Sequence, residues 1–107
     1  MLFRSLPPAV ELAAYRVVQE SLTNALRYAR SAPARVALSY RDDGLDLTVE
    51  NDAPTAGRAA SGDRSVRGGT RGLQGLAERA QLLGGSLQAG PRPGGGFSVH
   101  AWLPVRQ

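Results

Sequence analysis

The sequence contains no cysteine and no lysine, and it has a single histidine, His100. Without cysteine, the chain can form neither a disulfide nor a thiolate metal site. One histidine argues against a histidine-based metal cluster and against a Ser-His-Asp triad. A Walker-type phosphate loop is also excluded, because that loop needs a lysine. The basic residues are 13 arginines, which give a net charge of +4.

Long apolar runs are missing too. No run approaches the roughly 20 residues of a membrane span, and the N-terminus lacks the pattern of a signal peptide. The few aromatic residues are dispersed, which argues against a base-stacking surface for nucleic acid. The 107 residues are therefore predicted to form one cytoplasmic domain with no nucleic-acid partner and no membrane contact.

A long first helix is predicted from about Pro8 to about Arg30, since prolines are tolerated at its start and Pro33 follows its end. An acid, an amide and a guanidinium, Glu20, Asn24 and Arg27, stand at i, i+4 and i+7 on one side. Large apolar residues at helical spacing predict a buried stripe on the opposite side: Leu12, Tyr15, Val18, Leu22, Leu26 and Ala29.

The column of Glu20, Asn24 and Arg27 has two interpretations. A solvated polar face is the simpler one for an arbitrary helix. Against it, asparagine is a poor helix former in mid-helix. Small or apolar neighbours also flank the column where a wet face usually carries charge: Ala13, Val17 and Ser21. These features favour a binding function.

Two hairpins are predicted. The runs Ala34–Tyr40 and Leu45–Asn51 alternate in hydropathy around a turn at 41–44, so each is expected to bury one face. Ser86–Ala89 and Phe97–Leu103 form the second pair around a Gly- and Pro-rich turn. His100 falls on the polar side of the last strand and is given no catalytic role.

Between the hairpins, residues 52–71 show no periodicity and are rich in glycine and arginine. Such a long loop is typical of a functional lid that closes over an anion, and a solvated linker fits its composition equally well. A second helix is predicted over Gly72–Gly85. Its N-terminus follows small residues directly, and free backbone N–H groups there favour phosphate binding.

Three segments, in this order, resemble the ATP-binding catalytic domain of bacterial sensor histidine kinases, of the GHKL (Bergerat) ATPase type. Val18–Ala25 resembles the N box, Arg71–Arg79 the second glycine box, and Pro93–Phe97 the last glycine turn. The subclass paired with NarL-like response regulators is the most similar. The resemblance implies an α+β sandwich, with helices on one face of a mixed, mostly antiparallel sheet. It also implies a residual linker arm at 1–6 and an ATP lid at 52–71.

The resemblance assigns chemistry to the first helix. Asn24 would ligate the Mg²⁺ that bridges the ATP phosphates, as magnesium prefers oxygen ligands. Glu20 would hold a metal-bound water or act as general base, a role that can belong instead to an acid beside the phospho-accepting histidine. Arg27 could reach a phosphate. Tyr28 stands where histidine is common and can still donate a hydrogen bond.

The glycine boxes complete the implied nucleotide site. The second box would bind phosphates through Arg71, Gly72, Leu73 and Gly75, although Thr70 replaces its first glycine. The first box departs from the usual Asp-x-Gly-x-Gly, and 51–55 read Asn-Asp-Ala-Pro-Thr. Asn51 then takes the position of the adenine-binding aspartate. A register slipped by one residue gives that role to Asp52.

The implied activity is phosphoryl transfer from MgATP to a histidine on a dimerisation domain outside this chain, for signalling to a response regulator. The chain alone is expected to bind ATP without phosphorylating itself. Three alternatives remain open: another GHKL protein such as an anti-sigma serine kinase or an ATPase, a degenerate regulatory domain, and a basic RNA-binding module.

Overall fold

The protein is described by a computed structural model, which covers residues 6–28, 33–52 and 72–105. Helix α1 spans Pro8–Tyr28, and strands β1 and β2 span Ala34–Arg41 and Gly44–Asn51. Residues 72–82 are helical and are named α2. Strands β3 and β4 span Ser86–Pro91 and Phe97–Pro104. The predicted elements are confirmed within these bounds. The last residues predicted for α1, most of the arm and most of the lid lie outside the described residues.

The four strands form one sheet in the order β1-β2-β4-β3, and every pairing is antiparallel. A two-residue turn, Asp42 and Asp43, joins β1 to β2. The central pair β2 and β4 buries alternate residues beneath the helices: Leu45, Leu47, Val49, Phe97, Val99, Ala101 and Leu103. Helices therefore cover one face of the sheet, which confirms the predicted α+β class.

The buried face of α1 differs from the predicted stripe. Leu12, Tyr15 and Leu26 are 46%, 63% and 62% exposed, so the prediction was wrong for them. The helix instead packs on the sheet through small side chains: Val10, Ala13, Ala14, Val17 and Ala25. Small residues allow the helix to approach the sheet closely. The sequence prediction chose the face with the larger apolar side chains and therefore missed the face that packs. Val18 and Leu22 only flank the core, and Ala29 lies outside the described residues.

The edge strand β1 is exposed along its whole length. Val36, Leu38 and Tyr40 pair with buried residues of β2 and so share their face, yet they are 43%, 50% and 57% exposed. The predicted coverage of one face was therefore right for β2 and wrong for β1. The reason is that α1 contacts mainly β4 and β2.

Helix α2 ends in a glycine motif. Gly84 has φ +89°, and its N–H donates to the Gln81 carbonyl at 2.9 Å. The Gly85 N–H donates to the Ala80 carbonyl at 2.8 Å, which completes a Schellman motif. Leu73 and Ala80 are buried in the core. Within the described residues, neither helix has the length and hydropathy needed to cross a bilayer.

Candidate functional site

Buried polar side chains single out one region of the molecule. Among the described residues they are Ser21, Asn24 and Asn51, and Asn24 and Asn51 are 3% and 7% exposed. Asn24 was predicted on the side of α1 opposite the core, which was wrong, because it borders the face that packs on the sheet. Burying an amide costs free energy unless its polar atoms are used, so two buried asparagines mark a specialised site.

Glu20 and the start of the described part of α2 are in direct contact. A Cβ atom placed on Gly72 would lie 2.6 Å from Glu20 Oε2 and 2.8 Å from its carboxyl carbon. A side chain at position 72 would therefore displace the Glu20 carboxylate from its present position. The contact sets the carboxylate of the N-box segment beside the second glycine box, although Glu20 and Gly72 are 52 residues apart in sequence.

A cleft of about 320 Å³ opens between the two helices at this contact. Helix α1 lines it with Arg16, Gln19 and Glu20. Helix α2 lines it with Gly72, Gly75, Leu76 and Arg79. The volume lies at the lower end of the range for small-molecule sites, about 300–1,000 Å³. The cleft thus brings together three predicted site residues: Glu20, Gly72 and Gly75.

The predicted adenine-binding residue lies at the end of β2, outside this cleft. Asn51 pairs with Phe97, and its Nδ2 donates to the Asp52 carbonyl at 3.0 Å. Gly96 has φ +91°, and a Cβ there would collide with the Asn51 backbone. The last glycine turn is therefore packed against the first glycine box. Strand β1 begins opposite Asn51, at this same end of the sheet.

The Asp52 carboxylate accepts hydrogen bonds from two arginines, one in β1 and one in the β3–β4 turn. Arg35 Nη2 donates to Asp52 Oδ1 at 2.9 Å, and Arg92 Nη1 donates to the same oxygen at 3.1 Å. These hydrogen bonds, that from Arg35 first, hold the pKa of the Asp52 carboxyl below its ordinary value. Arg92 Nη1 also reaches the Asn51 carbonyl at 3.3 Å. The cluster ties the end of β2 to β1 and to the β3–β4 turn.

His100 lies on the other face of the sheet. Its buried strand neighbours Val99 and Ala101 point towards the helices, so the His100 side chain points away from them. Its Nε2 contacts Asp46 Oδ1, a pairing that sequence reasoning missed. The sheet therefore separates His100 from the cleft, and its predicted position on the polar side of the last strand is confirmed.

The remaining predicted residues are distributed as follows. Arg27 is exposed near the end of α1, and Leu73 is 3% exposed in the core, so only the backbone of Leu73 is available to a ligand. Arg71 and the Tyr28 side chain lie outside the described residues. No three His, Cys, Asp or Glu side chains in the described part of the chain lie close enough together to hold a metal ion.

Sequence reasoning gave no role to three arginines near these sites: Arg16, Arg79 and Arg92. Arg16 stands one turn before Glu20, so extending the polar column backwards would have found it. Arg79 follows Gly72 and Gly75 at helical spacing on the same side of α2. No sequence signal indicates that Arg92 reaches the end of β2, because that contact depends on the tertiary fold.

The sequence matches the family described as histidine kinase-, DNA gyrase B- and HSP90-like ATPase over residues 9–107. An uncharacterised sensor-like histidine kinase of Chloroflexus aurantiacus is 32% identical over 90% of the chain, which covers 16% of that protein. The sensor histidine kinase YxjM of Bacillus subtilis is 33% identical over 94% of the chain, which covers 23% of that protein. The chain thus spans less than a quarter of either relative.

Solved structures share the fold. The ATP-binding domain of PrrB from Mycobacterium tuberculosis has a TM-score of 0.57 at 22% identity, over 94% of this chain and 70% of that one. The histidine kinase domain of a blue-light activated histidine kinase from Erythrobacter litoralis has a TM-score of 0.59 at 27% identity, over 92% and 46%. With the family match over nearly the whole sequence, the chain belongs to the histidine kinase-, DNA gyrase B- and HSP90-like ATPases.

Proposed function

We propose that this chain binds MgATP along α1, from the end of β2 to the cleft at Glu20, and transfers its γ-phosphoryl group to a histidine of another domain. The contact between Glu20 and Gly72 carries the proposal. It joins the carboxylate of one predicted motif to the glycine of another, with the buried Asn24 one turn further along α1. The four positions from Glu20 to Asn24 correspond to about 6 Å of helix axis.

Asn51 is proposed to bind the adenine amino group. Its Nδ2 donates to the Asp52 carbonyl, so its Oδ1 is the atom left to accept a hydrogen bond from a base. The alternative, Asp52, is less favourable, because its carboxylate already accepts from Arg35 and Arg92. Recruiting it for adenine would disrupt two charge-assisted hydrogen bonds.

The phosphates are proposed to lie between Asn24 and the first turn of α2. Asn24 would supply one oxygen ligand to Mg²⁺, and phosphate oxygens and waters would supply the rest. The described residues fit this role: Asn24 is buried beside the core, and Gly72 leaves the backbone of α2 uncovered by a side chain. Backbone N–H groups at 72 and 73 would then face the phosphates, as helix N-termini do. Arg27, Tyr28 and Arg71 are proposed as further phosphate ligands.

The transfer itself needs few protein groups. A bond forms between an imidazole nitrogen of the acceptor and the γ-phosphorus, while the bond to the β,γ-bridging oxygen breaks and ADP leaves. The imidazole N–H proton passes to a base, for which Glu20 is proposed. Such catalysis is mainly positioning and neutralisation of charge. Magnesium, when bound, supplies charge neutralisation at the phosphate oxygens.

The wider context is proposed from the relatives. The acceptor histidine would belong to the dimerisation domain of a longer cytoplasmic or membrane-anchored parent. The final phosphate recipient would be a response regulator of the NarL-like class. Residues 52–71 would serve as the ATP lid, with the whole of 1–107 as one catalytic domain. We propose no role for nucleic acid or membrane contact.

Nucleotide binding is tested by thermal unfolding of the 107-residue chain with MgATP and MgADP. Ligand at a hundred times its Kd adds about 2.7 kcal/mol to the unfolding free energy, so the Tm should rise. Asn24→Ala, which removes the proposed ligand oxygen, should abolish the Mg²⁺-dependent part of this shift. Asn51→Ala should weaken ATP and lessen its advantage over GTP. Gln88→Ala, which removes an exposed carboxamide from β3, is the matched control and should leave the shift unchanged.

The alternatives make different predictions. If neither nucleotide raises the Tm of the wild-type chain, the domain is a degenerate one. If ATP binds and labelled phosphate never reaches an added histidine-bearing dimerisation domain, the chain is a GHKL protein of another activity. Salt-sensitive binding of RNA without nucleotide binding would indicate the basic RNA-binding module.

A further inference from the structure

The cleft beside Glu20 carries more positive charge than the proposed mechanism uses. Arg16 enters it from α1 and Arg79 from α2, with Glu20 as the acidic group of its lining. Arg16 and Glu20 are one turn apart, yet no ion pair joins either arginine to another described residue. Two exposed guanidinium groups therefore face one cavity without a described anionic partner.

Gly75 gives a second, independent sign that the cleft is kept open. It lies inside α2, where glycine costs about 0.5–1 kcal/mol relative to alanine. No close contact requires it, because a Cβ on Gly75 would meet no heavy atom within 4 Å. Gly72 is different, since its missing Cβ accommodates Glu20. Packing does not explain why position 75, which lines the cleft, has no side chain. A glycine there is expected if a ligand enters the cleft at this point.

We infer that Arg16 and Arg79 bind the terminal phosphoryl group of ATP and make the site distinguish a triphosphate from a diphosphate. The inference rests on the proposed function and assigns two residues to it. If adenine lies at Asn51 and the inner phosphates pass Asn24, the next group along α1 reaches Glu20 and the cleft. The inner phosphates lie before the cleft, so a diphosphate does not reach the two arginines.

Charge explains why two arginines are needed. A terminal phosphate that approaches Glu20 is repelled by its carboxylate, and this repulsion is large at short distance. Guanidinium groups from two helices offset it and hold the phosphate from two sides. Arginine also suits the task geometrically, since its planar fork matches phosphate oxygens.

The test measures the Kd of the full chain for MgADP and for a non-hydrolysable ATP analogue with an imido β,γ-bridge. Arg16→Gln and Arg79→Gln should each weaken the analogue about tenfold, the loss of one charge-assisted hydrogen bond, and weaken ADP by less than about twofold. Arg79→Lys should recover part of the analogue affinity. Arg41→Gln, on the edge strand β1, is the matched control and should change neither Kd.

Each outcome has one meaning. Equal weakening of ADP and analogue would show that the arginines act on the whole site, which overturns the inference. The inference is also overturned if the variants bind ADP and the analogue as tightly as the wild-type chain does. If the wild-type chain binds neither nucleotide, the proposed function itself fails, and the variants are not needed to see it. The unfolding midpoints of all variants serve to confirm that they are folded.

Discussion

Asp52 shows how much tertiary structure one carboxylate can hold together. Its Oδ1 accepts hydrogen bonds from Arg35 at 2.9 Å and from Arg92 at 3.1 Å, and its N–H donates to the Pro33 carbonyl at 3.1 Å. These partners come from the start of β1 and from the β3–β4 turn. The residue that follows the proposed adenine-binding Asn51 thus fixes its surroundings.

Because of this cluster, the stability of the folded chain should depend on pH. Hydrogen bonds from Arg35 and Arg92 lower the pKa of Asp52 in the folded chain, so folding favours its ionised form. The stabilisation is complete above the unfolded pKa, about 4, and is lost as the pH falls through the lower folded pKa. Asp52→Asn should therefore lower the Tm slightly at pH 7, since ion pairs this exposed contribute little.

The difference in Tm between wild type and Asp52→Asn should shrink towards zero as the pH is lowered below 4, about the pKa of a free aspartate. Thermal unfolding followed by circular dichroism at pH 2–7 measures it. Asp43→Asn, in the β1–β2 turn, is the control and should show a smaller difference at neutral pH. A deficit for Asp52→Asn that stays constant across this range would contradict the ion-pair account.

At the scale of the elements, α1 shows which structural features can be predicted from the sequence and which cannot. Its start follows from Pro8, and the structure confirms it. Its buried face does not follow, because two apolar faces compete in the sequence. The face with Leu12, Tyr15 and Leu26 is larger, and the face with Ala13, Ala14 and Val17 fits more closely against the sheet.

The same physical reason explains which residues of the candidate site could be predicted from the sequence. Glu20, Asn24 and the glycine segments could be identified from their spacing and chemistry. Arg16 and Arg79 lie at helical spacing from those residues, but that they line one cleft depends on how the two helices pack. Arg92 could not be identified, since a contact between a turn and a strand end depends on how the elements are placed. The exposed side of β1 was missed similarly, because alternation predicts which side chains share a face and does not predict what covers it.

The corrected face of α1 makes a prediction about stability. Ala13 is 3% exposed against the sheet, whereas its neighbour Leu12 is 46% exposed. Ala13→Leu should lower the free energy of unfolding by about 1–3 kcal/mol, because added methylene groups overpack a close contact. Leu12→Ala should change it by about 0.5 kcal/mol or less, as surface substitutions in helices usually do.

Urea unfolding of the two variants against wild type measures both values. The pair is well matched, since the residues are adjacent and exchange the same two side chains in opposite directions. If Leu12→Ala were the more costly change, the large apolar stripe would be the packing face after all, and the position of α1 on the sheet would need revision.

At the scale of the whole molecule, the sheet separates two kinds of chemistry. The helices, the cleft and Glu20 lie on one face, and His100 lies on the other, in contact with Asp46. His100 is the only histidine in the chain. A phosphoryl group bound near Glu20 cannot reach its imidazole within one molecule, since the buried layer of β2 and β4 stands between them.

The chain incubated with γ-labelled ATP should therefore bind nucleotide and acquire no acid-labile phosphate. Adding a separate dimerisation domain that bears the acceptor histidine should produce label on that domain only. His100→Ala should behave as wild type in both reactions, because its side chain takes no part in either. Acid-labile label on the wild-type chain that disappears in His100→Ala would mean that His100 reaches a nucleotide site, which this arrangement of sheet and helices forbids within a single copy.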